Sequence, residues 1–351
     1  MVHPLLKEVP NLGRTVSFMH VCGTHQDTLV KHGLEPLLAE AGVRIVQGPG
    51  CPVCVTTPAE IEMARALALS GKAVTAFGDM MNVPGPSGSL VSARSEGADV
   101  RIVYSVTDAL AMARAEPGKE FVFMGIGFET TAPSTAFALL SDPPENFSIL
   151  SCHRLVPPAL EALLQMGEVK LDGLIEPGHV SAIIGTLPYE PISERWKVPQ
   201  VVAGFEPEDL LMAVAMLAKQ IYKGRAEVEN EYSRVVKPEG NRKAIRIMEE
   251  AMAPRDVKWR GFPSIPGSGL GIRKRFEEWD AASKYQGILA PYADREYPEP
   301  EGCLCGEVLR GLVDARECPQ FGKGCAPENP VGPCMVSAEG SCNIAYRYRT
   351  E

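Results

Sequence analysis

The strongest chemical signal in the chain is six cysteines in its last fifty residues: Cys303, Cys305, Cys318, Cys325, Cys334 and Cys342. The last histidine is His179, so any metal centre in this tail is built from sulfur. Sites made only of thiolates select iron–sulfur clusters or zinc. Structural zinc uses paired C-x2–4-C knuckles, and the tail has none. Cys303, Cys318, Cys325 and Cys342 instead read C-x14-C-x6-C-x16-C, four ligands for a [4Fe–4S] cubane. Pro and Gly crowd these positions (CPQFGKGC, PVGPC), which suits backbone amides turned toward cluster sulfurs. Cys305 and Cys334 are left over, either as a dithiol–disulfide pair beside the cluster or as spare thiols; the pair is the expectation.

Two further cysteine motifs lie early. Cys22-Gly23-Thr24-His25 follows the apolar run TVSFMHV and precedes a helical pattern, QDTLVKHG. In open α/β sheets, sites form at the carboxyl ends of strands. A cysteine at a helix N-terminus there is expected to have a lowered thiol pKa, as a thiolate ligand or nucleophile. His25 could hydrogen-bond that thiolate, shuttle a proton or ligate a metal. The plain alternative is a buried small cysteine beside a capping histidine. GPGCPVC, residues 48–54, follows VRIVQ, and its Cys51 and Cys54 are either redox-active or half a metal site. Next to Cys22 on an adjacent strand end, the redox role is expected.

Polar loops follow two later strands. GFETTAP (127–133) offers Glu129, Thr130 and Thr131; PGHVSAIIG (177–185) places His179 at a strand–helix junction. Their plain readings are helix capping by the threonines and a capped helix start at Ser181. Neither has the spacing of a phosphate-binding P-loop. GSGLGIR (267–273) lacks a preceding strand and reads as a loop, and Cys152 with His153 reads as structural.

These motifs need strand ends to sit on. Eight candidate strands, TVSFMHV, VRIVQG, AVTAFG, DVRIVYS, EFVFMGIG, FSILSC, LDGLIE and VPQVVAG, alternate with helical patterns such as PAEIEMARALALSG and EDLLMAVAMLAKQIYKG. That alternation means βαβ units and parallel sheets. Dividing the run near residues 117–119 gives two similar doubly wound α/β domains, 12–116 and 117–225, facing a cleft. Residues 226–351, richer in Gly, Pro, charge and Cys, make a third, irregular iron–sulfur domain, with segment 1–11 packed on it.

The totals narrow the class. A chain of 351 residues suits two or three domains. A net charge of −9 argues against a nucleic-acid surface. No apolar run approaches the roughly 20 residues of a membrane span, and MVHPLLKEVPNLGR lacks the apolar core of a signal peptide. A cytoplasmic protein is expected, in which ten cysteines point to metal or redox work rather than disulfide scaffolding.

Taken together, MHVCGTH, GPGCPVC, GFETTAP, PGHVSAIIG and the four-cysteine tail, in this order along essentially the whole chain, resemble the hydrogenase maturation factor HypD family. One departure is Asp27, where the family's first motif often has a second histidine. The resemblance implies two similar α/β domains with a cleft and a third domain holding a [4Fe–4S] cluster on Cys303, Cys318, Cys325 and Cys342. It implies a scaffold that assembles the Fe(CN)2CO group of nickel–iron hydrogenases, with Fe(II), cyanide and CO as cargo. Partners would be a small HypC-like chaperone and a HypE-like cyanide donor, with HypF upstream. It carries the iron-ligand role to Cys22, and redox or ligand-handling roles to Cys51 and Cys54. On this reading His25 sits at or beside the iron, and His25 or Glu129 manages protons, with Thr130 and His179 in the same site. The competing class is a stand-alone iron–sulfur thiol oxidoreductase acting on a small molecule.

Overall fold

The computed structural model describes residues 4–293 and 295–349. All eight expected strands form: β1 Val16–His20, β2 Val43–Gln47, β3 Ala73–Ala76, β4 Val100–Ile102, β5 Phe121–Gly127, β6 Phe147–His153, β7 Gly173–Pro177 and β8 Gln200–Ala203. A short β9, Val228–Asn230, follows. They make two parallel sheets, ordered β2-β1-β7-β8-β9 and β4-β3-β5-β6, with helices between successive strands. Full burial explains why β5 reads as an unbroken apolar run rather than an alternating one. The helices start on local signals: Thr57 and Glu60 form a reciprocal capping box at Pro58–Leu69, and Ser105 with Asp108 does the same at Val106–Ala115.

The sheets do not divide at residues 117–119. The chain lays down β1 and β2, builds the whole second sheet from β3 to β6, then returns to finish the first with β7 to β9. The junction is the pairing of Phe18, Met19 and His20 with Gly173, Leu174 and Ile175. It places the apolar β1 in the interior of its sheet instead of leaving it near an edge. Both sheets therefore reverse strand order internally, between β1 and β7 in one and between β3 and β5 in the other.

Residues 226–351 contain more strand than expected. β10, Met252–Lys258, and β11, Ser264–Ile272, form an antiparallel pair, so most of GSGLGIR is strand rather than loop. Its glycines serve close packing: a Cβ on Gly269 would stand 2.5 Å from the Val257 side chain. The segment Pro4–Glu8 is anchored on helix Pro207–Tyr222, where Lys219 pairs with Glu8, so the first sheet's own layer holds it. No helix among the described residues is long and apolar enough to cross a membrane.

One buried ion pair ties β6, the second sheet's helix and the hairpin together. Arg154 Nη2 donates to both Glu60 oxygens at 2.8 and 2.7 Å and to the Lys258 carbonyl at 2.9 Å. Arg154 is 2 % exposed, so removing its partner strands a charge away from water. Glu60→Ala should cost about 3 kcal/mol of unfolding free energy in urea titration, and an apolar replacement of both partners should recover most of it. Equal stability of E60A and the parent would show that the pair carries no such role.

Candidate functional site

The two strand-order reversals face each other. A cavity of about 250 Å³ lies between them, lined by residues from the carboxyl ends of β1 (Cys22, Thr24), β3 (Asp79), β5 (Thr130) and β7 (His179), with Glu339 from the tail. Reversal points are where open α/β sheets bind ligands, because adjacent loops diverge there and leave a crevice.

Cys22 precedes helix Gly23–Lys31 in extended backbone, so the first N–H groups of that helix face its sulfur. The thiol pKa is nevertheless pushed up to about 11, chiefly by burial, with the Thr24 and His25 amides pulling the other way. The expected lowering is thus reversed: a helix N-terminus supplies less than desolvation removes. A cation against the sulfur would shift this balance toward thiolate.

The His25 ring turns away from that sulfur. Its Nε2–H donates to the Gly204 carbonyl at 2.9 Å, and burial lowers its pKa to about 3. The ring is therefore neutral and protonated on Nε2, leaving Nδ1 bare and without a partner among the described residues. Phe205 stands between this ring, 5.3 Å away, and His179, stacked at 3.9 Å. Asp27 points outward instead, accepting from Arg347 at 2.9 Å, and so pins helix Ser341–Arg347 on the helix that follows Cys22.

The CPVC turn is a four-residue helix, Pro52–Val55, started by Cys51, and Cys51 and Cys54 are joined as a disulfide. Its position is set by a backbone contact: a Cβ on Gly50 would stand 2.1 Å from the Cys22 nitrogen. Only glycine lets the two motifs approach so closely. Pro52 and Val53 line the cavity, while both sulfurs are buried behind them.

The carboxylate of Glu129 does not reach the cavity wall. It accepts the Val156 N–H at 3.0 Å, capping helix Val156–Met166, and burial raises its pKa to about 7. Thr131 starts helix Ala132–Leu140, yet its hydroxyl donates back to the Ile126 carbonyl at 3.1 Å. The capping expected of Ser181 is absent too: the helix begins at Gly178, and the Ser181 hydroxyl meets Tyr189 at 3.1 Å. Cys152 and His153 are buried in β6, His153 bonded to Thr135 at 2.9 Å.

Asp79, Ser337 and Glu339 were missed by the sequence reading. Ser337 donates to Asp79 at 3.1 Å, and burial with the Asp79 charge raises the Glu339 pKa. Asp79 follows β3, so the strand-end rule would have found it. Glu339 has no local signal, since it reaches the cavity only because the tail folds back onto Gly23.

All six tail cysteines line a second, smaller cavity with Phe321, Gly332 and Met335. Cys305 and Cys334 touch, sulfur to sulfur, at 2.9 Å. The Val331 N–H donates to Cys325 at 3.3 Å. Among the described residues no three such side chains converge as around a single ion. The set instead suits a cubane, which takes one thiolate at each of four separated corners and accepts backbone N–H groups on its sulfurs. Burial and neighbouring sulfurs push the Cys342 thiol up. The helices Cys305–Leu309 and Pro333–Val336 both pack on Pro52–Val55, so one short helix separates the two cavities.

Two buried carboxyls make this region sensitive to pH. Burial raises Glu129 to about 7 and Glu176, whose oxygens have no partner among the described residues, to about 8. Raised acids keep in the folded state a proton that the unfolded chain gives up. Their contribution is full below the unfolded pKa and lost as pH rises through the folded one. The buried histidines His20, His25 and His153, lowered to about 4, 3 and 4, act with the opposite sign at lower pH, so the variant is compared with the parent. The stability difference between Glu176→Gln and the parent should shift in the variant's favour from about pH 5 to about pH 8. A difference independent of pH in urea titrations would place the Glu176 proton elsewhere.

The family model described as "HypD: Hydrogenase formation hypA family" matches residues 1–349. A putative hydrogenase expression/formation protein of Methanocaldococcus jannaschii is 49% identical over 342 residues, covering 95% of this chain and 92% of its own. The hydrogenase maturation factor HypD of Rhodobacter capsulatus is 44% identical over 340 residues, covering 95% and 90%. That of Cupriavidus necator is 42% identical over 348 residues, covering 96% and 90%. With its motifs set around one cleft and its cysteines around one cavity, this chain belongs to the HypD family of hydrogenase maturation proteins.

Proposed function

We propose that the chain is a cytoplasmic scaffold on which iron receives its cyanide and CO ligands before delivery to a nickel–iron hydrogenase. The observation that carries this reading is the meeting of Cys22, His179 and Thr130 with the CPVC turn at two facing strand-order reversals.

Iron(II) is the cargo, and the Cys22 thiolate binds it in the cleft. Binding releases the thiol proton, which burial otherwise retains. At this cleft a small HypC-like chaperone would supply a second sulfur and a HypE-like protein, fed by HypF, would deliver cyanide. His25, its ring turned from the sulfur and its Nε2–H spent on the Gly204 carbonyl, holds the helix after Cys22 against the end of β8. Glu129 acts from behind, fixing helix Val156–Met166 rather than touching cargo. Thr130 and His179 present a hydroxyl and an imidazole to the incoming ligand.

Cys303, Cys318, Cys325 and Cys342 would hold a [4Fe–4S] cluster, which when bound supplies electrons. Cys51 and Cys54 cycle between disulfide and dithiol next to the iron, and Cys305 with Cys334 forms the second thiol pair. The packing of both tail helices on Pro52–Val55 supports this arrangement, since redox work requires the two regions to be close.

The test is infrared spectroscopy on the anaerobically purified protein with its co-purifying partner. Cyanide and CO stretches are expected in the parent, and Cys22→Ala should abolish them while leaving the visible absorption of the tail cluster. Bands that survive in C22A would remove Cys22 as the ligand.

A further inference from the structure

Among the described residues, Arg260 brings a charge to the end of the CPVC helix from the hairpin side. Its backbone N–H donates to the Val55 carbonyl at 2.9 Å, and its Nε to the Thr56 carbonyl at 3.1 Å. These carbonyls lie one and two residues beyond Cys54. Nη1 donates to Glu299 at 3.1 Å, and Nη2 has no partner among the described residues. The side chain is 1 % exposed, while its single counter-ion is 29 % exposed and therefore partly screened by water. An unpaired N–H on a fully buried guanidinium is costly and calls for a reason.

We infer that Arg260 is the positioning residue of the Cys51–Cys54 couple: it clamps the carbonyl end of the CPVC helix and supplies fixed positive charge that favours the reduced turn. The inference rests on the redox role proposed for that turn. Reduction places two electrons in the S–S bond and breaks it. The product is a thiol and a thiolate after uptake of one proton, or two thiols after uptake of two. In the thiol–thiolate product a negative charge develops at sulfurs that are 1 % and 0 % exposed. Water does not solvate it there, so a nearby cation matters more than at the surface. Arginine suits this role because it does not lose its proton. Of the neighbouring cations, Arg154 is held by Glu60, Lys258 by the exposed Glu296 and Arg255 by the Ser151 carbonyl.

The test equilibrates the full-length, cluster-loaded protein anaerobically with a dithiol buffer of defined ratio, in which the buffer dithiol becomes a cyclic disulfide as Cys51–Cys54 is reduced. Acid quenching, alkylation under denaturing conditions and mass spectrometry of the peptide carrying residues 51–54 read the reduced fraction. Arg260→Gln should lower the equilibrium constant for reduction about tenfold, a shift of about 30 mV for a two-electron couple. Arg260→Lys, which keeps the charge and loses the fork, should stay within about threefold of the parent. The exposed control Lys258→Gln should leave the equilibrium unchanged. Retained cluster absorption shows that each variant is folded. An unchanged equilibrium in R260Q, or an R260K as impaired as R260Q, overturns the inference while the redox role stands. A parent whose turn stays disulfide-bonded at every buffer ratio overturns both.

Discussion

A helix of four residues has to wall the cleft on one side and seat the cysteine-bearing tail helices on the other, and most of the architecture serves that requirement. Pro52 and Val53 form part of the cleft wall, while the far side of the same helix receives the two helices that carry Cys305 and Cys334. So short a helix has almost no stability of its own. Contacts from outside hold it: Gly50 laid against the Cys22 peptide, the Arg260 clamp on Val55 and Thr56, and the tail packed beneath. The contact at Gly50 tolerates no side chain, so the spacing between the two cysteine motifs is fixed by backbone against backbone.

The sheets explain how distant motifs reach that helix. Because the chain leaves the first sheet after β2 and comes back at β7, each sheet reverses its strand order at its centre. Four loops that are far apart in sequence then open onto one crevice. A contiguous pair of domains would have left CGTH and PGHV on different bodies. Here β1 and β7 are hydrogen-bonded neighbours, and Phe205 lies between the two histidines, stacked on His179 and tilted against His25.

Burial decides the chemistry of the groups around the crevice more than partnership does. It holds Cys22 as a thiol, His25 as a neutral ring and Glu129 and Glu176 near neutrality. A cation against the Cys22 sulfur would offset that burial and favour the thiolate.

The strands were legible in the sequence because parallel strands buried on both faces must be continuous apolar runs, and all eight runs became strands. Their helices were legible from caps such as Thr57–Glu60. The gathering of cysteines in the tail and the strand-end positions of Cys22 and the CPVC turn were readable too, since they depend on residue type and local order. What stayed hidden was set by contacts between distant segments. The pairing of β1 with β7 belongs to neither strand's own pattern. The Gly-rich β11 looked like a loop because its glycines answer to Val257 across the hairpin. Glu129 looked like a cleft acid until helix Val156–Met166 claimed its oxygens. The direction of the Cys22 pKa could be read only once its burial was known: the helix terminus is written in the sequence, whereas exclusion of water is a property of the folded whole.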